Sequence, residues 1–271
     1  MLRLAVIDDD TIRRQAIAPQ LRGAVVVSDG RQPCDAVAYL SAPAGGLGEV
    51  EQTLAGGAHV LLSTNIGMPW DAARTLTQRA EASPGRLTWG NPDRYLPSRQ
   101  LIRQQLDAGK LGPPGLIRIH RWSPLDLLLC DLDLVQWYFG KPANLVYAFE
   151  NAGCTQAHLG FAGGGMALID AARGLPAGDR YYSLSLIGAS GAAHADDHAN
   201  TQLLYQGGAP RALRVDEGVT SWTALLQAFV DSLRNDAPAQ STADWHAVWN
   251  TAAAVAQALQ TGQSIIPDGA A

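Results

Sequence analysis

Through its first third the chain repeats one pattern: a short apolar run, a turn, a polar stretch at helical spacing, then another apolar run. Apolar runs of about four to six residues are too short for helices, and separated by amphipathic segments they read as parallel strands covered on both faces by crossover helices. Strands are predicted at Leu2 to Ile7, Ala24 to Ser28, Ala36 to Leu40, His59 to Leu62 and Leu87 to Trp89. Helices are predicted at Thr11 to Leu21, Leu47 to Ala55, Pro69 to Ala82 and Pro97 to Ala108. Gly56-Gly57 and Gly109 close two of these helices, and Pro69 suits the first turn of a third. The expected fold class is α/β, a Rossmann-like doubly wound parallel sheet.

From Gly115 the texture changes to longer alternating runs, LIRIHRW, NLVYAFE, TQAHLGF, GMALID, YYSLSLIG and NTQLLYQ, divided by Gly, Pro and Asn turns. Alternation at period two predicts a mainly antiparallel open sheet, and helices at Asp126 to Phe139, Trp222 to Asn235 and Ala243 to Leu259 make this part α+β. Trp222, Leu225, Leu226, Phe229 and Leu233 recur at steps of three and four, an apolar stripe that marks core, and Trp245 and Trp249 do the same. The expected division is a Rossmann-like domain over 1–115 and an α+β domain over 116–271, the last helix, about 243–259, packing back toward the junction.

Charge narrows the functional classes. Twenty Lys+Arg against 25 Asp+Glu give a net charge of −5, and with no basic run the chain lacks the electrostatic footprint for nucleic acid or an anionic membrane. No apolar stretch approaches the ~18 residues of a bilayer span, and the opening MLRLAVIDDD reaches three carboxylates before a signal-peptide core could form. Cys34, Cys130 and Cys154 are odd in number and lack CxxC spacing, which suits neither a disulfide framework nor a zinc ribbon. A cytoplasmic location is expected.

The strand–turn–helix that opens an α/β domain is where a dinucleotide pyrophosphate normally docks, through glycines and the helix N-terminus. Here the turn reads Ile7-Asp8-Asp9-Asp10-Thr11-Ile12-Arg13, so the three positions of G-x-G-x-x-G hold Asp8, Asp10 and Arg13. A carboxylate about 4 Å from a phosphate charge costs about 1 kcal/mol in water and about 4 kcal/mol at an effective dielectric near 20. Asp10 as N-cap, with neighbouring anions at the positive helix end, explains the same residues structurally. An unusual cofactor pose or a bound cation are the alternatives, and a divalent ion would need more oxygen ligands than this turn supplies.

His194, Asp196 and His198 alternate, so on a strand they would share a face and could bind zinc; a solvated polar strand explains them equally, and no fourth ligand is evident. His120 and His158 lie in alternating runs and are expected to be hydrogen-bonded sheet residues. The antiparallel sheet, with one face needing cover, is a natural surface for self-association.

Several stretches resemble the Gfo/Idh/MocA family of NAD(P)-dependent sugar and polyol oxidoreductases. Leu2-Arg-Leu-Ala-Val-Ile7 is similar to its first strand, and Asp35-Ala-Val-Ala-Tyr-Leu-Ser-Ala-Pro43 to a loop beside the cofactor, which places Pro43 there. Gly56-Gly-Ala-His-Val-Leu61 resembles the strand before the family's Glu-Lys-Pro motif. Gly90-Asn-Pro-Asp-Arg-Tyr95, Leu106-Asp-Ala-Gly-Lys-Leu-Gly-Pro-Pro114 and Ile117-Arg-Ile-His-Arg121 resemble its interdomain segment. Asp131-Leu-Asp-Leu-Val-Gln-Trp-Tyr-Phe-Gly140 is similar to the helix that carries its active-site residues. The resemblance implies a Rossmann domain joined to an open-sheet α+β domain, dimers or tetramers built through that sheet, and Asn91, Arg94 and Tyr95 as pocket-lining ligand contacts or a strut between domains.

The departures fall on the chemistry. Ser63, Thr64 and Asn65 stand where Glu-Lys-Pro would be, so Thr64 replaces the family's catalytic lysine. The family's Asp-x-x-x-His-x-x-Asp becomes Asp126, Cys130 and Asp133, which keeps two carboxylates and loses the imidazole. Asp126 and Asp133 would raise the Cys130 thiol pKa, so an inert packed thiol is expected there. Hydride transfer needs a held nicotinamide and a proton partner. The expectation is therefore a degenerate, non-catalytic member without a cofactor, serving binding of a polar small molecule or assembly as a homo-oligomer. The alternative is an active NAD- or NADP-dependent oxidoreductase with a non-standard cofactor site, with Asp126 or Asp133 as general base and Tyr95 as proton donor.

Overall fold

A computed structural model of the chain describes residues 1–27, 33–123, 127–173, 181–196, 201–204, 211–214, 217–237 and 242–269. The chain forms two compact units, Met1–Leu96 with Gly218–His246, and Pro97–Glu217 with Ala247–Ala271.

The first unit is built on a five-stranded parallel sheet, order β2-β1-β3-β4-β5, made by Leu2–Ile7 (β1), Ala24–Val27 (β2), Ala36–Tyr39 (β3), His59–Ser63 (β4) and Leu87–Gly90 (β5). Leu4, Ala5 and all four residues of β3 are buried, as strands covered on both faces must be. The connecting helices are Thr11–Ile17 (α1), Gly46–Ala55 (α2) and Trp70–Ala80 (α3). The predicted first helix is cut short: after Ile17 the chain tightens into a 3-10 turn over Ala18–Gln20, because Pro19 has no amide hydrogen to continue the α ladder. Pro69 caps the third helix with ψ 139° instead of entering its first turn.

The helix Glu217–Arg234 (α6) belongs to this unit and not to the second half. Trp222, Leu225, Leu226, Phe229 and Val230 are buried in one cluster with Leu4, Val6, Ile17, Ala36 and Leu61. The stripe was legible as core; which core it served was not, since helical periodicity carries no address. A single cut at about residue 115 therefore differs from the observed division, which is discontinuous in sequence.

The second unit has a six-stranded sheet, order β11-β10-β6-β9-β8-β7, from Pro114–Trp122 (β6), Ala143–Asn151 (β7), Cys154–Phe161 (β8), Met166–Ala172 (β9), Tyr181–Gly188 (β10) and Ala192–Asp196 (β11). All neighbours are antiparallel except β6 and β9. One face, with Ile117, Ile119, Leu159, Ile169, Leu184 and Leu186, is buried. Helices Pro97–Asp107 (α4), Leu128–Phe139 (α5) and most of Thr242–Thr261 (α7) complete the unit. α4 is tied to α5: Arg103 donates to the Trp137 carbonyl at 2.6 Å and the Tyr138 hydroxyl donates to the Arg99 carbonyl at 3.2 Å. The free edge of β7 is partly covered, with Val146 and Ile265 exchanging two backbone bonds of 2.8 and 2.7 Å. Beyond the predicted strand in NTQLLYQ, Thr201–Leu204 (β12) pairs with Arg211–Arg214 (β13), a partner the sequence reading lacks. No helix among the described residues is long and apolar enough to cross a membrane.

Candidate functional site

The sheet order places β1 beside β3 at the point where the winding of the first sheet reverses. In open α/β sheets ligands bind outside the carboxyl ends of the strands at such a switch point. Here that position is the turn Asp8-Asp9-Asp10, and its polar groups are satisfied from within. The Asp8 side chain is fully buried and receives a two-pronged bond from Arg13, Nε at 2.8 Å to one oxygen and Nη2 at 2.5 Å to the other. It also accepts from the Asp10 amide at 3.0 Å and from the Ser41 hydroxyl at 3.2 Å. The Ser41 oxygen, carried in from the end of β3, accepts from the Asp9 amide at 2.9 Å. Asp10 is the N-cap of α1, its side chain accepting from the Arg13 amide at 2.9 Å.

Three backbone N–H groups of this turn, those of Asp9, Asp10 and Arg13, thus go to the protein's own oxygens. Arg13 is more than the steric obstacle its alignment with a glycine suggests: it is the counter-ion of Asp8. Its guanidinium lies 5.1 Å from the ring centroid of Trp222, and its pKa is raised, chiefly by the bond to Asp8. Pro43 is buried in the neighbouring loop, where its carbonyl accepts from Gly46 at the start of α2. Nearby, the Tyr39 hydroxyl bonds Glu49 at 3.0 Å, and burial pushes its pKa up to about 12.

At the end of β4, Thr64 is buried and its hydroxyl donates to the Gly90 carbonyl at 3.3 Å, which engages it with the adjacent strand. Asn91 is completely buried and caps a short 3-10 turn, Pro92–Tyr95, by accepting from the Asp93 amide at 3.0 Å. Arg94 is buried in that turn, and Tyr95 packs against the hydrophobic cluster of the first unit.

In the second unit, Asp126 lies outside the described residues. Cys130 and Asp133 are fully buried on α5, and none of the three cysteines forms a disulfide. Sequence reasoning did not single out the strongest polar feature here. Asp131, fully buried, takes a two-pronged bond from Arg121 of β6, with N–O distances of 2.8 and 2.6 Å. The Arg121 guanidinium lies 4.4 Å from the Tyr182 ring centroid and that of Arg99 4.5 Å from the same ring. The signal was an acidic residue inside the apolar run LLLCDLDLV, because a buried carboxylate requires a partner.

His120 lies on β6 and His158 on β8. His120 Nδ1 is 2.8 Å from Asp170, and the His158 ring meets Tyr147 edge-on at 6.1 Å. His194 Nδ1 lies 3.0 Å from the Ser185 hydroxyl, while the Asp196 side chain and His198 lie outside what is described. Among the described residues no group of three or more His, Cys, Asp or Glu could hold a metal ion.

The chain thus joins a five-stranded parallel sheet at the N-terminus to a six-stranded, mostly antiparallel sheet, a fold it shares with solved dehydrogenases. No protein-family model and no curated protein sequence matches the chain. Among solved structures, it is similar to myo-inositol 2-dehydrogenase from Lactobacillus plantarum, with a TM-score of 0.76 and 16% identity over 98% of this chain and 99% of that one. It is similar to scyllo-inositol dehydrogenase from Lactobacillus casei with bound NAD(H) and scyllo-inositol, at a TM-score of 0.73 and 19% identity over 98% and 99% of the two chains. It is also similar to a myo-inositol dehydrogenase from Corynebacterium glutamicum, at a TM-score of 0.75 and 16% identity over 98% of both chains. At these identities the likeness is one of fold.

Proposed function

We propose that the chain is a non-catalytic relative of the NAD-dependent sugar and polyol oxidoreductases, which keeps their two-unit fold for assembly or for binding a small polar molecule and turns over no dinucleotide. The observation that carries this reading is the fork between Arg13 and the buried Asp8 carboxylate. The dinucleotide that the fold implies does not suit this turn. A pyrophosphate would have to displace the Asp8 oxygens from four donors and then sit beside them, at about 4 kcal/mol for each charge pair near 4 Å at an effective dielectric of about 20. Thr64 supplies no cation where the family resemblance places one, and Cys130 supplies no imidazole. Fold alone does not carry activity with it.

We also place self-association in this reading, through the open face of the six-stranded sheet. Of the large apolar side chains that are exposed among the described residues, half lie on that face: Trp122, Leu145, Tyr147, Phe149, Met166 and Ile187. A patch of that extent marks an interface more often than bare surface.

Titration of the purified protein with NADH and NADPH, followed by nucleotide fluorescence, tests the first part. No binding up to millimolar concentration is expected. Micromolar affinity for either would overturn it in favour of an NAD(P)-dependent oxidoreductase with Asp126 or Asp133 as base and Tyr95 as proton donor. Replacing Asp8, Asp10 and Arg13 together by glycine should raise dinucleotide affinity, since charge and bulk at the turn are then removed together.

A further inference from the structure

The open face of the second sheet carries a feature that self-association alone does not require. Side chains alternate along each strand, and the register fixes which residues share this face: Arg118 and His120 on β6, Asp170 on β9, His158 on β8 and His194 on β11. Asp196 occupies the same set of positions on β11, opposite Ser183. Three of the six histidines of the chain therefore stand on one apolar sheet face.

We propose that association through this face is switched by protons, the histidines permitting it when neutral and opposing it when charged. The proposal rests on the self-association reading above. The occupant is a second copy of this chain for two reasons. Six strands about 4.8 Å apart and some seven residues at about 3.3 Å give a footprint of about 29 by 23 Å, of the order of the ~800 Å² per partner that a stable interface needs. Further, with the histidines neutral the described charged positions are one cation, Arg118, against Asp170 and Asp196, too little charge for two identical faces to repel strongly.

Acid changes that balance. Asp170 is already shared: Arg118 reaches one oxygen at 3.4 Å, His120 approaches the same oxygen at 2.8 Å, and Gln156 donates to the other at 2.5 Å. A proton on His120 therefore adds a second cation to one carboxylate. His158 has the Tyr147 ring as its described neighbour, and His194 the Ser185 hydroxyl, with Asp196 two residues along on the same face of β11. The phenols of Tyr147 and Tyr181 and the thiol of Cys154 complete the titratable groups of the face. Histidine is the side chain whose charge ordinarily changes between pH 5 and 8, and burying charge between apolar surfaces is unfavourable. Protonation is thus favoured in the separated copies, and association weakens as pH falls.

Sedimentation of the full chain between about pH 8 and pH 5.5 tests this. If association lowers the pKa of one histidine per copy by about one unit from the ordinary value of ~6.5, two copies raise Kd about thirtyfold at pH 5.5. That rise, reversed on return to pH 8 with circular dichroism unchanged, supports the switch. A His120→Gln, His158→Gln, His194→Gln variant should associate at both pH values, and His158→Gln or His194→Gln alone should flatten the dependence in part. A native Kd constant within threefold, or a full pH dependence left in the triple variant, overturns the switch. Tyr147→Glu with Met166→Glu should abolish association at pH 8; undiminished association there, or a native chain monomeric at pH 8, overturns the interface reading itself.

Discussion

Asp8 sits where a chain of this fold would offer bare backbone to a phosphate, and its carboxylate is held by two guanidinium nitrogens, a hydroxyl and an amide. Removing the cation leaves a buried charge uncompensated, so Arg13→Met should lower stability by about 3 kcal/mol in urea denaturation. Asp8→Asn, which keeps the shape and loses the charge, should cost less, about 1 to 2 kcal/mol. His59 makes a second prediction. Its Nδ1 accepts from the Arg86 amide at 3.1 Å, and burial, with help from the Arg86 charge, lowers its pKa below the ordinary 6.5. The folded state thus prefers the neutral ring, and the stability this contributes is present above about pH 6.5 and lost as pH falls through the lowered value. His59→Asn should shrink the drop in Tm between pH 7 and pH 5. At this scale the cap at Asp10 was readable, because an N-cap depends on residues three apart. Arg13 as counter-ion and Arg121 as the partner of Asp131 were not, because each pairing depends on where a turn or a strand aims its side chain.

Among the elements, α6 decides most about the first unit. Phe229 is wholly buried against the parallel sheet, so Phe229→Ala should cost about 3 to 5 kcal/mol by thermal or chemical unfolding. β5 accepts the same helix at a glycine: a Cβ on Gly90 would lie 2.8 Å from Leu225 Cδ1 and 2.9 Å from Leu61 Cδ1. Gly90→Ala should therefore cost about 1 to 3 kcal/mol, less if those methyl groups shift. The strands of the first sheet were legible because burial on both faces leaves continuous apolar runs such as AVAY and HVLLS. Boundaries were less so, as Pro19 shows: an apolar period says that a helix exists, and one missing hydrogen says where it stops.

For the molecule, the α/β and α+β halves could be read from the change of period near Gly115, whereas the partition could not. Residues 218–246 return to the first unit, and α7 starts there and continues in the second. Periodicity reports that a face is buried and is silent on what buries it. This return has a consequence for biosynthesis. Leu4, Ile17 and Leu61 find Phe229 and Leu226 only after the strands of the second sheet have emerged, so the nascent N-terminal segment must wait with its sheet half-dressed. A fragment ending at residue 96 should stay molten and bind a hydrophobic dye, and fusing residues 218–246 to it by a flexible tether should restore cooperative melting. Helix α6, made after the strands of both sheets, would then set when the first strands become native.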